Sequence, residues 1–315
     1  MKIAIFAPES EFTSDQIQTL RKLGNVVFTQ DRKELSLQKL IEIARDSEVI
    51  GVDPDPLGGF EKAREVLTKV MESLPKLRAV CLSTTAYGWV DLDYCKKRKI
   101  TVSNIPGYSR ESVAEHTLGL LLGLAKHILV TDRKTQRGKY QLEMGFELKG
   151  KTLGIIGLGN IGGRVAELGH GIGMKVIAYN PSPRSQSGVE MKSFDEVLRG
   201  SDAISLHLKD SPGLKGMIGK KELEKMKNGI IIVNTVDREL IDEQAMADAI
   251  KSGKVYGYAY EAEDLENTPL AKLENAVGIK GFGWYTKEAL SNLFQIWVDN
   301  IVGAVQNSPK NTVKN

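Results

Sequence analysis

The stretch "KTLGIIGLGNIGGRVAELGHGIGMKVIAYNPSPR", residues 151–184, decides the fold of this chain. It begins with a short apolar run typical of a buried strand, continues as a helix and ends in a second apolar run. Between strand and helix, Gly157, Gly159 and Gly162 follow the G-x-G-x-x-G spacing. In this context the spacing is the fingerprint of a βαβ unit that binds a dinucleotide. The stretch therefore predicts a parallel sheet with a phosphate-binding loop.

Each glycine of this loop has a separate physical task. Gly157 permits a tight turn, Gly159 lets the backbone approach a pyrophosphate, and Gly162 lets helix and strand pack closely. Asn160 and Ile161 lie at the start of the helix, where free N–H groups and the positive end of the dipole favour an anion. These five residues are the predicted phosphate contacts of the cofactor. The alternative is a glycine-rich turn without a ligand.

The residues after the second strand bear on the choice of cofactor. An acid at the end of that strand would accept hydrogen bonds from the ribose of NAD, but this chain has Asn180 there. Asn180 has no charge to repel a 2′-phosphate, and Arg184 follows with a guanidinium that suits phosphate. The alternative is an exposed turn with an incidental arginine. The sequence leaves NAD and NADP about equally open.

Apolar strand patterns alternate with helical patterns on both sides of this stretch, which predicts two α/β domains with parallel sheets and helices on both faces. Residues 109–128 form a helix that is apolar nearly all round and is therefore expected in a domain or subunit interface. The following residues, as far as Leu148, are also expected to be helical. The last helical pattern, 287–306, has an apolar stripe that needs a partner sheet.

Composition excludes several classes of protein. The 315 residues suggest about two domains. With 43 basic and 40 acidic residues, the net charge of +3 is too balanced to indicate a nucleic-acid or membrane partner. The N-terminus resembles a strand rather than a signal peptide, and no apolar run approaches the ~18 residues of a membrane span. Cys81 and Cys95 form no disulfide framework and no metal-ligand spacing. We expect a cytoplasmic protein that binds no metal.

Three segments resemble one known family closely. They are "PKLRAVCLSTTAYGWVDLDYCKKRKITVSNIPGYSRESVAEHTLGLLLGLAKHI", "LGIIGLGNIGGRVAELGHGIGMKVIAYNP" and "SDAISLHLKDSPGLKGMIGKKELEKMKNGIIIVNT". Together they resemble the D-isomer-specific 2-hydroxyacid dehydrogenases over nearly the whole chain. The resemblance implies a flavodoxin-like substrate domain, 1–103 and 286–315, and an inserted Rossmann dinucleotide-binding domain, 104–285. It also implies a small-molecule substrate bound between the domains and a homodimer formed through the cofactor domain.

The family transfers a hydride between NAD(P)H and a 2-oxo acid with the help of a histidine, a glutamate and an arginine. Asp237 matches the arginine, and Arg238 could replace it only if the turn is remodelled. Gly281 matches the histidine. Glu266 matches the glutamate, with Glu263 or Asp264 as alternatives. Two of the three catalytic residue types are therefore absent.

Other family positions are kept. The resemblance places Ala86, Tyr87 and Tyr108 near the substrate. It also places His207 and Thr235 near the cofactor, where a structural role is as good an explanation, and it gives Glu261 the role of binding the nicotinamide carboxamide.

The missing proton donor needs a replacement. Lys280, one residue from Gly281, is favoured because a desolvated lysine can serve as an acid near neutral pH. Other candidates are Tyr285, Tyr260, Tyr108, Tyr87 and His116. For His116 a packing role is the stronger expectation.

Asp237 changes the expected substrate. Its carboxylate would repel a 2-oxo acid and would suit an amine or hydroxyls, unless it pairs with Arg238, Lys280 or another base. Two hypotheses follow. The first is an NAD(P)-dependent oxidoreductase acting on CH-OH groups of an atypical carbonyl or hydroxyl substrate. The second is a dinucleotide-binding protein without dehydrogenase turnover, such as a sensor, a scaffold or an enzyme that uses NAD in a non-redox step.

Overall fold

The computed structural model describes residues 1–208, 212–262 and 268–313. Strands and helices alternate along these residues. The strands are β1 (Lys2–Pro8), β2 (Asn25–Thr29), β3 (Val49–Val52), β4 (Ala79–Leu82), β5 (Thr101–Ser103), β6 (Thr152–Ile156), β7 (Lys175–Tyr179), β8 (Glu190–Met191), β9 (Ala203–Leu206), β10 (Ile230–Asn234), β11 (Val255–Ala262) and β12 (Ala276–Lys280). The helices are α1 (Ser14–Arg21), α2 (Leu37–Ala44), α3 (Phe60–Glu72), α4 (Leu92–Lys97), α5 (Arg110–Ala125), α6 (Ile128–Gln136), α7 (Asn160–Gly171), α8 (Phe194–Gly200), α9 (Lys220–Lys225), α10 (Glu243–Lys251) and α11 (Lys287–Val305).

The first compact unit comprises Met1–Tyr108 and Lys287–Asn315. Its five parallel strands have the order β2-β1-β3-β4-β5, which is the flavodoxin-like order predicted from the sequence. The central strand β1 is fully buried from Ile3 to Ala7, as expected of a strand covered on both faces. Helix α11 belongs to this unit because its Trp297 packs against β3 and donates a hydrogen bond to the Cys81 carbonyl at 2.8 Å.

The second unit comprises Ser109–Thr286. Its seven parallel strands have the order β12-β11-β10-β9-β6-β7-β8. Strands β6 to β11 have the strand order of the dinucleotide-binding fold, and β12 extends the sheet beyond β11. The order reverses between β6 and β9, so a ligand crevice is expected outside the carboxyl ends of these two strands. The unit boundaries lie at 108/109 and 286/287, compared with 103/104 and 285/286 from the sequence.

The prediction that the chain stays helical as far as Leu148 is wrong. Helix α5 ends at Ala125, and the left-handed conformation of His127 (φ 52°) separates it from α6. Helix α6 ends at Gln136, and Gly138 follows in the left-handed region (φ 71°). Gly138 donates its N–H to Thr135, which satisfies a carbonyl of the last turn.

Within the described residues, none of the single helices has both the length and the apolar composition needed to cross a membrane. Helices α5 and α6 reach that length only together, and they meet at an angle of 64°.

Candidate functional site

The phosphate-binding loop connects β6 to α7, as the sequence predicts. Gly157 is in the left-handed region (φ 102°), and a Cβ there would lie 2.5 Å from the His207 carbonyl. A Cβ on Gly162 would collide with the Gly157 carbonyl oxygen. A Cβ on Gly159, by contrast, would have open space around it. The first and third glycines are therefore required by the loop's own packing, and the second leaves room for a ligand.

The start of α7 is suited to an anion. Gly159 is its N-cap residue and provides no side-chain acceptor. The first bond within the helix runs from the Gly163 N–H to the Gly159 carbonyl, at 2.9 Å, so the N–H groups of Asn160 and Ile161 precede the helical ladder. Such N–H groups and the positive end of the helix dipole fit the pyrophosphate of a dinucleotide. The predicted phosphate contacts are thus brought together.

Two arginines help to line a cavity beside this loop. It is lined by Arg110, Leu158, Gly159, Asn160, Gly163, Arg184, Ser185 and Gln186. Gln186 donates a hydrogen bond to the Gly163 carbonyl at 2.8 Å, and Arg110 donates one to the Asn160 carbonyl at 3.2 Å. Both bonds fix the cavity wall to the first turn of α7. Sequence reasoning found Arg184 but missed Arg110 and Gln186, because neither lies at a motif position.

Asn180 lies next to this cavity, and both ends of its side-chain amide form hydrogen bonds with neighbouring residues. Its Oδ1 accepts a hydrogen bond from the Leu158 N–H at 2.9 Å. Its Nδ2 donates to the Ser182 carbonyl at 2.7 Å and to the Ser182 hydroxyl at 3.1 Å. The amide therefore braces the turn that carries Arg184, in addition to any contact with a ribose.

His207 and Thr235 follow β9 and β10 at the carboxyl edge of the sheet. The Nε2 atom of His207 lies 2.6 Å from the Ser205 hydroxyl, and burial lowers the pKa of His207 to about 3. The imidazole is consequently neutral near pH 7. The Thr235 hydroxyl is buried and has no hydrogen-bond partner in the described part of the chain. An unpaired buried hydroxyl at this edge is available to a ligand.

The turn that follows β12 is held by a carboxylate. Glu261 Oε1 accepts hydrogen bonds from the N–H groups of Phe282, at 3.0 Å, and Gly283, at 2.8 Å. His116 Nε2 approaches the same oxygen to 3.2 Å. The Gly283 carbonyl in turn accepts a bond from the Ser112 hydroxyl at 2.5 Å. Glu261 thus has a clear structural task, besides the contact with nicotinamide that the resemblance implies.

The two charged residues after β10 have different surroundings. Asp237 is half-buried, and its Oδ1 accepts a hydrogen bond from the Glu239 N–H at 2.8 Å. Arg238 forms a two-pronged ion pair with Glu243, at 2.7 and 2.8 Å. Among the described residues no cation pairs with Asp237, so the alternative in which Arg238 or Lys280 neutralises it is not what the structure shows.

The favoured replacement for the proton donor is exposed. Lys280 is the last residue of β12, and its side chain is open to solvent. Gly281 follows, and its carbonyl accepts a hydrogen bond from the Trp284 indole at 3.2 Å. Tyr285 is 63% exposed. Tyr260, in contrast, stacks on the fully buried Tyr258 at 5.0 Å, and burial raises the pKa of its hydroxyl.

The remaining predicted substrate residues belong to the first unit. The Ala86 carbonyl accepts bonds from the Thr84 hydroxyl at 2.7 Å and the Trp89 indole at 2.9 Å, which brace the loop that also carries Tyr87. The Tyr108 carbonyl accepts a bond from Asn292 at 3.4 Å. Glu266 and its alternatives Glu263 and Asp264 lie outside the described residues.

Sequence reasoning missed an ionic cluster at the carboxyl edge of the first sheet. Arg32 pairs with Glu11 at 2.6 Å and with the buried Asp53 at 2.6 Å. Asp53 also accepts a hydrogen bond from Ser83 at 2.7 Å. The available signal was that polar residues follow β2, β3 and β4. Among the described side chains there is no group of three or more histidines, cysteines or carboxylates arranged to hold a metal ion.

Comparison with known proteins agrees with this geometry. Residues 118–279 match the family described as "D-isomer specific 2-hydroxyacid dehydrogenase, NAD binding domain". The chain is 33% identical over 98% of its length to a D-3-phosphoglycerate dehydrogenase from Archaeoglobus fulgidus, but it spans only 58% of that relative. It is 31% identical to a hydroxypyruvate reductase from Blautia hydrogenotrophica, over 93% of each chain.

Among solved structures, an acyclic imino acid reductase (Bsp5) in complex with NADPH and D-Arg is similar over the full length of both chains. The TM-score is 0.84 and the sequence identity is 27%.

Proposed function

This chain belongs to the D-isomer-specific 2-hydroxyacid dehydrogenase family, and we propose that it is an NAD(P)H-dependent reductase of a substrate that carries a basic nitrogen. The proposal rests on Asp237, whose negative charge has no cationic partner among the described residues. Its half-buried carboxylate accepts a hydrogen bond from the Glu239 N–H. It stands where family members have the arginine that binds the substrate carboxylate.

The charge of Asp237 decides between substrate classes. At ~4 Å, two like charges repel by about 1 kcal/mol in water and by about 4 kcal/mol at the effective dielectric of a protein surface. A 2-oxo acid bound in the usual pose would meet this repulsion. An amine or an imine, protonated near neutral pH, would gain a similar attraction. Arg238 does not reverse the sign locally because its guanidinium is paired with Glu243.

A similar solved structure supports the proposal that the substrate carries a nitrogen. The imino acid reductase to which this chain is similar over its full length was solved with NADPH and D-Arg. Reduction of a C=N bond uses the same cofactor chemistry as reduction of a C=O bond. When bound, the reduced nicotinamide supplies a hydride to carbon. Asp237 would hold the positive nitrogen of the substrate, while the loop from Gly157 to Gly162 holds the pyrophosphate.

We further propose that the cofactor is NADPH. Arg184 and Arg110 line one cavity beside the start of α7, and Asn180 presents no negative charge there. A 2′-phosphate carries about −1.5 to −2 charges and forms strong bonds with guanidinium groups. Affinities of the protein for NADPH and NADH, measured by nicotinamide fluorescence, test this choice. NADPH binding more than about tenfold (~1.4 kcal/mol) weaker than NADH binding would refute it.

A homodimer is the proposed assembly. Tyr140, Leu142 and Met144 are 86%, 100% and 88% exposed, and they follow the apolar helix α5 and the short helix α6. Such a row of exposed apolar side chains is typical of a subunit interface. Sedimentation of the purified protein should show a dimer that Leu142→Lys converts to monomer. Phe60→Lys, at a half-exposed aromatic of the first unit, is the matched control and should leave the dimer intact.

A cytoplasmic location completes the proposal. Cys81 and Cys95 are both free thiols, buried in the first unit, and burial raises the pKa of the Cys81 thiol to about 12. Free buried thiols suit a reducing compartment. Cell fractionation would test the location directly.

The reaction itself is tested by following nicotinamide absorbance. The panel contains 2-oxo acids alone, the same acids with ammonia or a primary amine, and simple aldehydes and ketones. Turnover that appears only when an imine can form is the expected result. Turnover of 2-oxo acids that amines leave unchanged would refute the nitrogen-bearing substrate. Tight cofactor binding without any turnover would instead favour the second hypothesis, a dinucleotide-binding protein without dehydrogenase activity.

A further inference from the structure

A histidine and a carboxylate meet beside the turn that lacks the family's histidine. His116 comes from α5 and Glu261 from β11, and Nε2 of the ring lies 3.2 Å from Oε1 of the carboxylate. The contact is at ion-pair distance but is not aligned as a hydrogen bond, since Nε2 is buried without one. Family members obtain their histidine from the position of Gly281. Here a pair of the same chemical types is assembled from two other elements.

The turn 281–283 closes over this pair. The Phe282 ring meets the His116 ring edge-on, with centroids 5.5 Å apart. The Phe282 and Gly283 N–H groups bind the same Glu261 oxygen that faces His116. A Cβ on Gly283 would lie 2.8 Å from His116 Cδ2 and 3.2 Å from Glu261 Oε1. The absence of a side chain at 283 is therefore what allows the histidine to occupy this place.

His116 and Glu261 lie near the edge of the sheet where ligands bind in this fold. Glu261 is the second-last residue of β11, at the carboxyl edge where dinucleotide-binding sheets hold their ligands. Glu261 is 9% exposed, and the side chain of His116 is 18% exposed. Nε2 faces the carboxylate, so Nδ1 lies on the opposite side of the ring. Within the described ranges no residue forms a hydrogen bond with Nδ1.

We propose that His116 is the proton donor of this site and that Glu261 is its positioning residue. The inference rests on the proposed reductase function. It replaces Lys280, which is exposed, and the tyrosines as the preferred donor. The histidine gives the proton on Nδ1 to a substrate nitrogen before the hydride reaches the neighbouring carbon, or to a substrate oxygen as the hydride arrives. The neutral imidazole then regains a proton from solvent, so that substrate gains one hydride and one proton.

Charge near the ring supports this role. Among the described residues, Glu261 is the charged group in contact with the imidazole. Glu115 on the same helix is exposed, and Lys280, which precedes the turn, is exposed as well. A carboxylate beside an imidazole fixes the orientation of the ring. His207, the other histidine near the cofactor loop, is held neutral by burial and cannot serve as this acid near pH 7.

The test compares His116→Gln with a matched control. His170→Gln changes an exposed histidine at the end of α7. Loss of a general acid typically lowers the rate ~10²–10⁴-fold. His116→Gln should therefore lower kcat about 100-fold or more, leave the fluorescence-measured affinity for NADPH unchanged, and keep KM close to that of the unchanged protein. His170→Gln should change none of these quantities. Glu261→Gln should lower kcat in the same direction.

A second readout does not depend on turnover. The chain has four histidines, so the imidazole signals are few enough to assign by NMR, and His116→Gln identifies one of them. In the NADPH complex, addition of a member of the substrate panel should move the His116 signal, because the ring is proposed to face the substrate. The signal of the exposed His170 should stay constant.

The outcomes separate the two proposals. An active protein whose His116→Gln variant keeps its kcat would overturn the role of His116 and leave the reductase standing. A His116 signal that does not change when substrate is added to the NADPH complex would also overturn the role of His116. An unchanged protein that reduces no member of the substrate panel would overturn the proposed function, and this inference with it.

Discussion

Asn180→Asp should reverse the preference of the protein between NADPH and NADH. The substitution keeps the oxygen that accepts the Leu158 N–H bond, so the turn retains one of its braces. It removes the two bonds that Nδ2 donates to Ser182. It also places a carboxylate beside the cavity that Arg110 and Arg184 line. That carboxylate can accept bonds from the ribose hydroxyls of NADH but repels the 2′-phosphate of NADPH.

The size of the effect follows from the partial exposure of the site. Asn180 is half-buried, so the dielectric lies between that of water and that of a protein surface. One pair of unit charges ~4 Å apart then interacts by about 1–4 kcal/mol, and the phosphate carries more than one charge. Screening by salt reduces the value. A loss of about 1–3 kcal/mol, or roughly 5- to 150-fold in Kd for NADPH, is expected, with little change or a gain for NADH.

Fluorescence titration of both cofactors at one fixed salt concentration measures the two affinities. Asn180→Ala is the control, because it removes the amide bonds without adding charge and should weaken both cofactors by a similar factor. If Asn180→Asp binds NADPH and NADH in the same ratio as the unchanged protein, no 2′-phosphate approaches residue 180. The assignment of the cavity to that phosphate would then be wrong.

Three further predictions concern other parts of the second unit. Gly162→Ala should abolish measurable dinucleotide binding and lower the free energy of unfolding by about 1–3 kcal/mol, seen in denaturant titration, because the new Cβ collides with the Gly157 carbonyl. Asp237→Arg combined with Gly281→His should create measurable 2-oxo acid reduction, and a folded, cofactor-binding double variant without it would contradict the family alignment of the site. His207→Gln should reduce the acid lability of the fold: a buried histidine whose pKa is lowered from 6.5 to about 3 stabilises the protein fully above about pH 6.5 and progressively less as the pH falls toward 3.

The features that the sequence predicted well are those with local causes. The glycines at 157, 159 and 162 act within one turn, so their spacing identifies the loop without any knowledge of the rest of the chain. The strands of both sheets are apolar runs bounded by polar turns, and the βαβ alternation leaves few possible strand orders. The helix expected as far as Leu148 failed for a local reason as well. Gly138, in the left-handed region, is a helix-ending signal two residues after Gln136.

The candidate site was predicted less well because its contacts join distant parts of the chain. Ser112 and Gly283, which tie α5 to the turn after β12, are 171 residues apart in sequence. The approach of His116 to Glu261 depends on the same packing and leaves no periodic signal. Lys280 neighbours Gly281 in sequence, but neighbours on a strand point to opposite sides. Adjacency in sequence therefore does not determine which side chain reaches the site, and the role of Lys280 stays a prediction.

The two proposals are linked by the sign of the charge that they place beside the substrate. The family resemblance implies an arginine and a histidine, which suit a carboxylate and an oxyanion. The site proposed for this chain has Asp237 instead, together with a histidine that lies beside Glu261. Negative surroundings favour a protonated C=N nitrogen over a neutral one, and hydride adds more readily to the carbon of that cation. The proton would then pass from His116 to the nitrogen before the hydride reaches the carbon. Asp237 would stabilise the resulting positive charge on the substrate until hydride transfer neutralises that charge. A carbonyl substrate has no such stable cation, so the same site should reduce an imine faster than the oxo acid from which the imine forms.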